Sequence, residues 1–121
     1  MGRVDPKAVR VHLPLAPQDL QLLLAMRERA LHGYALMKAV EEQSGGELRV
    51  ELGSLYRMIH RLERVRLIEE TSGVEDARAP GRDRRFYRTT ELGGAVVGAE
   101  LDRLRRLLER AAGWRPREAS S

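Results

Sequence analysis

The 121-residue chain contains no cysteine. That excludes disulfides, thiolate metal sites and a cysteine nucleophile, and it fits a reducing compartment. Aromatic residues are scarce, at 4%, so the core must be built from Leu, Val, Ile, Ala and Met. No apolar run approaches the roughly 18 residues of a membrane span. Asp5, Lys7, Arg10 and His12 interrupt the N-terminal stretch, unlike a secretory signal. A cytoplasmic protein without a membrane partner is therefore expected. Lysine is nearly missing as well: of the 22 Lys and Arg residues only Lys7 and Lys38 are lysine. Genome composition accounts for such a bias without any function, yet arginine suits phosphate and guanine because its planar fork donates two parallel hydrogen bonds. His12, His32 and His60 stand far apart, and none has a second ligand at metal spacing. No glycine-rich phosphate loop follows a strand, and no nucleophile–base pair suggests itself. Neither a metal, nor a cofactor, nor an enzymatic activity is expected.

What is present is one domain's worth of chain, 42% hydrophobic and 33% charged, with a net charge of +4. Residues 1–15 lack periodicity and contain Pro6 and Pro14, so they read as a loose N-terminal arm with a short helical piece over Lys7–Val11. Pro17 suits a first helical turn. The helix it opens, to about Arg29, carries Leu20, Leu22, Leu23, Leu24, Ala25 and Met26 around most of its circumference. Such a helix must be covered on more than one side, and a second subunit is a natural cover. His32-Gly33 breaks it. A second helix spans Tyr34 to about Gln43, ended by Ser44-Gly45-Gly46. Leu48–Val50 is a candidate short strand. A third helix follows Gly53, with Ser54 as its N-cap and Leu55, Met58, Ile59, Leu62 and Val65 at helical spacing. Leu67–Ser72 and Arg84–Thr89 are strand candidates around the polar, turn-rich Gly73–Asp83, which together read as a β-hairpin, or wing. A last helix runs from a Thr90 cap to about Ala112. Its Val97, Leu101, Leu104, Leu108 and Ala111 alternate in steps of four and three, the spacing of an a/d seam.

The fold class expected is mainly α with a small β-hairpin: a winged helix-turn-helix plus a C-terminal dimerisation helix. The organisation is an arm over 1–15, the winged domain over 16–89, the dimerisation helix over 90–112 and a polar tail over 113–121 that holds Trp114. The outward face of the third helix is the most informative feature. Arg57, Arg61 and Arg64 fall on one stripe, flanked by Ser54, Tyr56 and His60. An ordinary solvated face is the plain alternative. Binding to DNA needs a helix that fits the major groove and cations that meet phosphates. The wing adds Arg78, Arg82, Arg84, Arg85 and Arg88, opposed only by Asp83, on a loop able to reach a backbone or minor groove.

Three stretches resemble PadR-type transcriptional regulators: LHGYALMKAVEEQSGG (Leu31–Gly46), LGSLYRMIHRLERVRLIEE (Leu52–Glu70) and RRFYRTTELG (Arg84–Gly93). The matching signatures are a His-Gly-Tyr opening helix two, a Gly-Ser-Leu-Tyr opening the recognition helix, and a Tyr-x-x-Thr-x-x-Gly leading from the wing into the last helix. The single helix after the wing is similar to the small subfamily. The resemblance implies a dimeric regulator, usually a repressor, that binds double-stranded operator DNA. It implies DNA contacts from Tyr34, Ser54, Tyr56 and Arg57, and a basic wing of Arg82, Arg84 and Arg85. First and last helices would form the dimer contact, here through Leu20, Leu23 and Leu24 with Val97, Leu101, Leu104 and Leu108. Some family members respond to small molecules through a cavity at the dimer centre, for which Met26 and Trp114 are conceivable lining; the plain reading of Trp114 is packing near a helix end. The chain departs from the family pattern at Arg66, where glycine is usual in the turn after helix three, at Glu51, and at the Thr89-Thr90 pair. The alternative function is a winged module that binds protein or structured RNA.

Overall fold

The computed structural model describes residues 4–27, 29–72 and 85–117. Within the stretch read as a loose arm, Asp5 starts a helix: its carboxylate accepts from the Lys7 amide, and Pro6 sits where a missing N–H is harmless. This helix, α1 (Pro6–Arg10), buries Val9 and packs on the last helix, so much of the expected arm is docked structure. After it come α2 (Pro17–Ala25), β1 (Leu31–His32), α3 (Gly33–Gln43), α4 (Leu52–Arg64), β2 (Ile68–Ser72), β3 (Arg85–Thr89) and α5 (Glu91–Arg110).

The strands form one antiparallel sheet in the order β1-β3-β2, with Leu31 opposite Tyr87 and Ile68 opposite Thr89. The third strand is therefore Leu31–His32, before α3, and not Leu48–Val50. The α3–α4 connection satisfies its backbone locally instead. Gly45 and Gly46 take positive φ, which L side chains rarely adopt. The Gly46 amide donates back to Glu41 O at 2.8 Å, and the Leu48 amide donates to Ser44 Oγ at 2.9 Å. That fold-back also lets Val50 bury. Helix α4 begins a turn earlier than the expected Ser54 cap. Glu51 is the N-cap without a side-chain bond, and Leu55 N donates to its carbonyl at 2.8 Å.

Leu22, Leu23, Leu36, Leu55, Ile59 and Val96 are wholly buried where α2–α5 meet. Each contributes about 1.5–3 kcal/mol relative to an exposed side chain. The end of the wing is fixed to the turn after α4 by the Tyr87, Thr90, Gly93 set. Tyr87 is buried in the sheet. Thr90 Oγ1 accepts from the Gly93 amide at 2.9 Å, capping α5 as expected, and donates to Arg66 O at 2.6 Å. Gly93 lies so close to Leu67 O that a Cβ there would overlap it. In the same turn Arg66 has φ 64°. Glycine would hold that left-handed conformation at lower energy, by about 1 kcal/mol.

Candidate nucleic-acid interface

Helix α4 buries Leu55, Met58, Ile59 and Leu62 and leaves Arg57, His60, Arg61 and Arg64 exposed. An α-helix turns about 100° per residue, so Arg57 and Arg64 share a narrow stripe. Arg61 stands on the flank beside Met58, and Tyr56 on the other. Arg57 Nη2 donates to Ser54 Oγ at 2.9 Å, a neutral partner that orients the guanidinium without cancelling its charge. Among the described residues no carboxylate pairs with Arg57 or Arg64. The imidazole of His60 is exposed, with Nδ1 3.8 Å from Glu63.

Arg61 differs from the simple stripe expected. It is held by Asp19 of α2 through a two-pronged contact, Nη1 to Oδ2 at 2.9 Å and Nη2 to Oδ1 at 2.6 Å. The hydrogen bonds that Arg61 donates to the Asp19 carboxylate raise the Arg61 pKa above its ordinary value, with burial opposing. Asp19 is only 6% exposed. Asp19 was not among the expected site residues, and an acid in the first turn of a helix is also what the helix dipole favours. Its real signal was an acid set among the leucines of α2.

The His-Gly-Tyr motif serves three purposes. His32 Nδ1 accepts from the Ala35 amide at 3.3 Å and so caps α3, while its ring meets Phe86 edge-on at 5.5 Å. Gly33 has no Cβ because the Tyr56 hydroxyl occupies that space. Tyr34 is exposed at the start of α3, with Lys38 Nζ 6.0 Å from its ring centre. The close approach at Gly33 brings Tyr34 and Tyr56, one from each helix, to the same end of the exposed α4 face.

In the wing, Arg78, Arg82 and Arg84 lie outside the described residues. Arg88 is exposed, with Nε 2.7 Å from Glu69 directly across the ladder, and Arg85 Nε lies 3.7 Å from Glu70. The described base of the wing is thus charge-compensated across its strands.

The expected dimer residues separate into two groups. Leu23 is fully buried and Val97 only 7% exposed, so both belong to the subunit's own core. Leu20, Leu24 and Leu104 are half-buried, while Leu101 and, at 72%, Leu108 are exposed. Leu107 and Trp114 are exposed as well, and a strict a/d spacing overlooked Leu107. Beside this apolar ridge Arg105 and Arg106 pair with Asp102 at 2.9 and 2.7 Å. Buried Glu100 takes two bonds from Arg103, at 2.7 and 2.9 Å, and one from the Leu15 amide at 3.2 Å. The Arg103 bonds hold the Glu100 carboxyl below the usual carboxylate range despite burial. Met26, expected as possible lining of an effector site, is 1% exposed and belongs to the subunit's own core. Among the described residues no helix is long and apolar enough to cross a membrane.

The model of the transcriptional regulator PadR-like family matches residues 22–99. A PadR-like transcriptional regulator from Bacillus cereus shares the fold with a TM-score of 0.67 at 18% identity, over 93% of this chain and 99% of that one. A transcriptional regulator from Clostridium thermocellum gives 0.64 at 18%, over 94% and 100%. A PadR family regulator from Eggerthella lenta gives 0.60 at 24%, over 88% and 83%. No curated protein matches the chain. The mainly helical architecture with its small sheet and C-terminal helix is that of these winged-helix regulators.

Proposed function

The chain belongs to the PadR-like family of transcriptional regulators, and from that premise we propose that it binds a palindromic operator as a homodimer and represses transcription. The observation that carries this reading is the outward side of α4, where Arg57 and Arg64 are exposed with no carboxylate partner among the described residues. Each subunit inserts α4 into a major groove, with half-sites about one helical turn apart. Arg57, oriented by Ser54, reaches a base edge or phosphate; Arg64 and His60 meet the backbone. The hydroxyls of Tyr34 and Tyr56 donate to phosphates at the α3 end. Arg61 approaches the duplex already engaged with Asp19. The wing, through Arg82, Arg84 and Arg85, follows the flanking backbone.

The dimer contact in this reading uses Leu20 and Leu24 with Leu101, Leu104, Leu107 and Leu108. A small-molecule effector at the dimer centre would meet Trp114 and the apolar side of α5 rather than Met26.

Footprinting across the DNA that flanks the protein's own gene tests the proposal. The expected result is one protected, two-fold symmetric site. Arg57→Glu abolishes that protection without changing the melting temperature. A variant that protects the site as the wild type does would refute the assignment of α4.

A further inference from the structure

We propose that Asp19 is a positioning residue that sets how many DNA-neutralising charges α4 presents. It cancels the charge of Arg61 and holds its guanidinium as a fixed fork. The inference rests on the DNA-binding reading above and adds a residue that does not itself face the duplex. Asp19 comes from α2, 42 residues away in sequence, and grips Arg61 through both carboxylate oxygens, at 2.9 and 2.6 Å. The Asp19 side chain is 9% exposed and that of Arg61 52%. The pair therefore sits at the rim of the interface, with the acid inside and the arginine outside.

The charge consequence follows from how proteins bind polyanions. Sequence-independent affinity scales with the number of phosphates neutralised, because each neutralisation releases condensed counterions. An arginine already matched by a carboxylate releases few. It still has five N–H donors, and two are engaged by Asp19. The remaining three keep a fixed direction, which suits a positional hydrogen bond. Arg57 shows the contrast: its partner Ser54 is neutral, so orientation is gained and charge is kept. The cationic stripe thus acts with two net charges, those of Arg57 and Arg64, and not three.

Salt dependence separates this role from a merely structural staple between α2 and α4. The full-length protein is titrated by fluorescence anisotropy against a short random-sequence duplex over a salt series. Asp19→Asn keeps the shape and frees the Arg61 charge. It is expected to tighten binding at low salt and to steepen the log–log salt slope by up to about 0.9 per engaged subunit. The double variant Asp19→Asn/Arg61→Gln replaces a neutral pair by a neutral pair and is expected to keep the wild-type slope. Arg57→Gln is the internal standard and flattens the slope by about 0.9 per engaged subunit. If the double variant flattens the slope as Arg57→Gln does, Arg61 leaves Asp19 to neutralise a phosphate, and the proposal is wrong. An unchanged slope in a folded Asp19→Asn variant also overturns it. Should Asp19→Asn fail to fold, the double variant, which leaves no unmatched charge, decides alone. A wild type that shows no salt-dependent binding removes the DNA-binding reading itself, and this inference with it.

Discussion

Helices α4 and α5 both turn arginines outward, yet they treat them in opposite ways. On α5, Arg103, Arg105 and Arg106 each pair with a carboxylate three or four residues earlier on the same helix. Those compensated flanks border a ridge of exposed leucines, Leu101, Leu107 and Leu108. Among the described residues no carboxylate neutralises Arg57 or Arg64 on α4; the Ser54 hydroxyl orients Arg57, while Arg61 is held by an acid from another helix, Asp19 of α2. An apolar ridge beside cancelled charge suits a protein surface, because its burial leaves no ion stranded. Exposed cations beside hydroxyl donors suit a phosphate backbone. Arginine content alone therefore says little; the location of the nearest acid decides what each helix can meet.

The largest effect should come from breaking the ridge. Leu107→Glu/Leu108→Glu removes two apolar side chains per subunit from the proposed contact, each contributing about 1.5–3 kcal/mol when buried. The dimer should weaken by roughly a thousandfold or more, read as a monomer mass by analytical ultracentrifugation. Because both leucines are exposed in one subunit, the fold of that subunit should survive. An unchanged dimer would show that α5 is not the assembly surface.

The joint between the two helices comes next. Gly93→Ala drives a methyl into Leu67 O, where backbone meets backbone, and should cost about 3 kcal/mol in chemical denaturation. Both functional surfaces should lose stability together, since this contact fixes the start of α5 to the turn after α4. Arg66→Gly at the same turn should act in the opposite sense. Relief of the left-handed φ should stabilise by about 1 kcal/mol, less the extra freedom of the unfolded chain, with a correspondingly higher melting temperature.

The smallest effect concerns the compensated flank. Arg103 lowers the Glu100 pKa, so this pairing contributes stability above the ordinary carboxylate value of about 4.3. That contribution is lost as pH falls through the lower folded-state value. Glu100→Gln should abolish this component of acid destabilisation, and its stability should converge with that of the wild type at low pH. Parallel curves at all pH values would place the charge of Glu100 outside the stability balance.

Much of this contrast is legible in the chain before folding. The apolar spacing of α4 marks its buried side and therefore its outward arginines, and the steps of α5 mark most of its ridge. The His-Gly-Tyr and Tyr-x-x-Thr-x-x-Gly signatures identify positions whose reasons emerge only in three dimensions: Gly33 yields to Tyr56, and Gly93 yields to Leu67. What periodicity cannot show is a partner on another element. Asp19 claims Arg61 across 42 residues, and Leu31–His32 forms a strand only because β3 has a free edge to pair with. Two residues are too few to show alternation. Leu48–Val50 had the composition of a strand, but local bonds to Ser44 and a buried Val50 already settle that segment. Helix α1 lies within one residue of the helical piece expected over Lys7–Val11, and Pro6, one of the two prolines that suggested a loose arm, in fact starts it.

The contrast itself is tested most directly by removing one arginine charge from each helix. Arg57→Gln and Arg105→Gln lower the net charge equally, and both side chains are exposed. Salt titration against the same random-sequence duplex should show a flatter slope for Arg57→Gln and a wild-type slope for Arg105→Gln. Equal slopes for the two variants would mean that overall charge, and not the uncompensated face of α4, brings the protein to DNA.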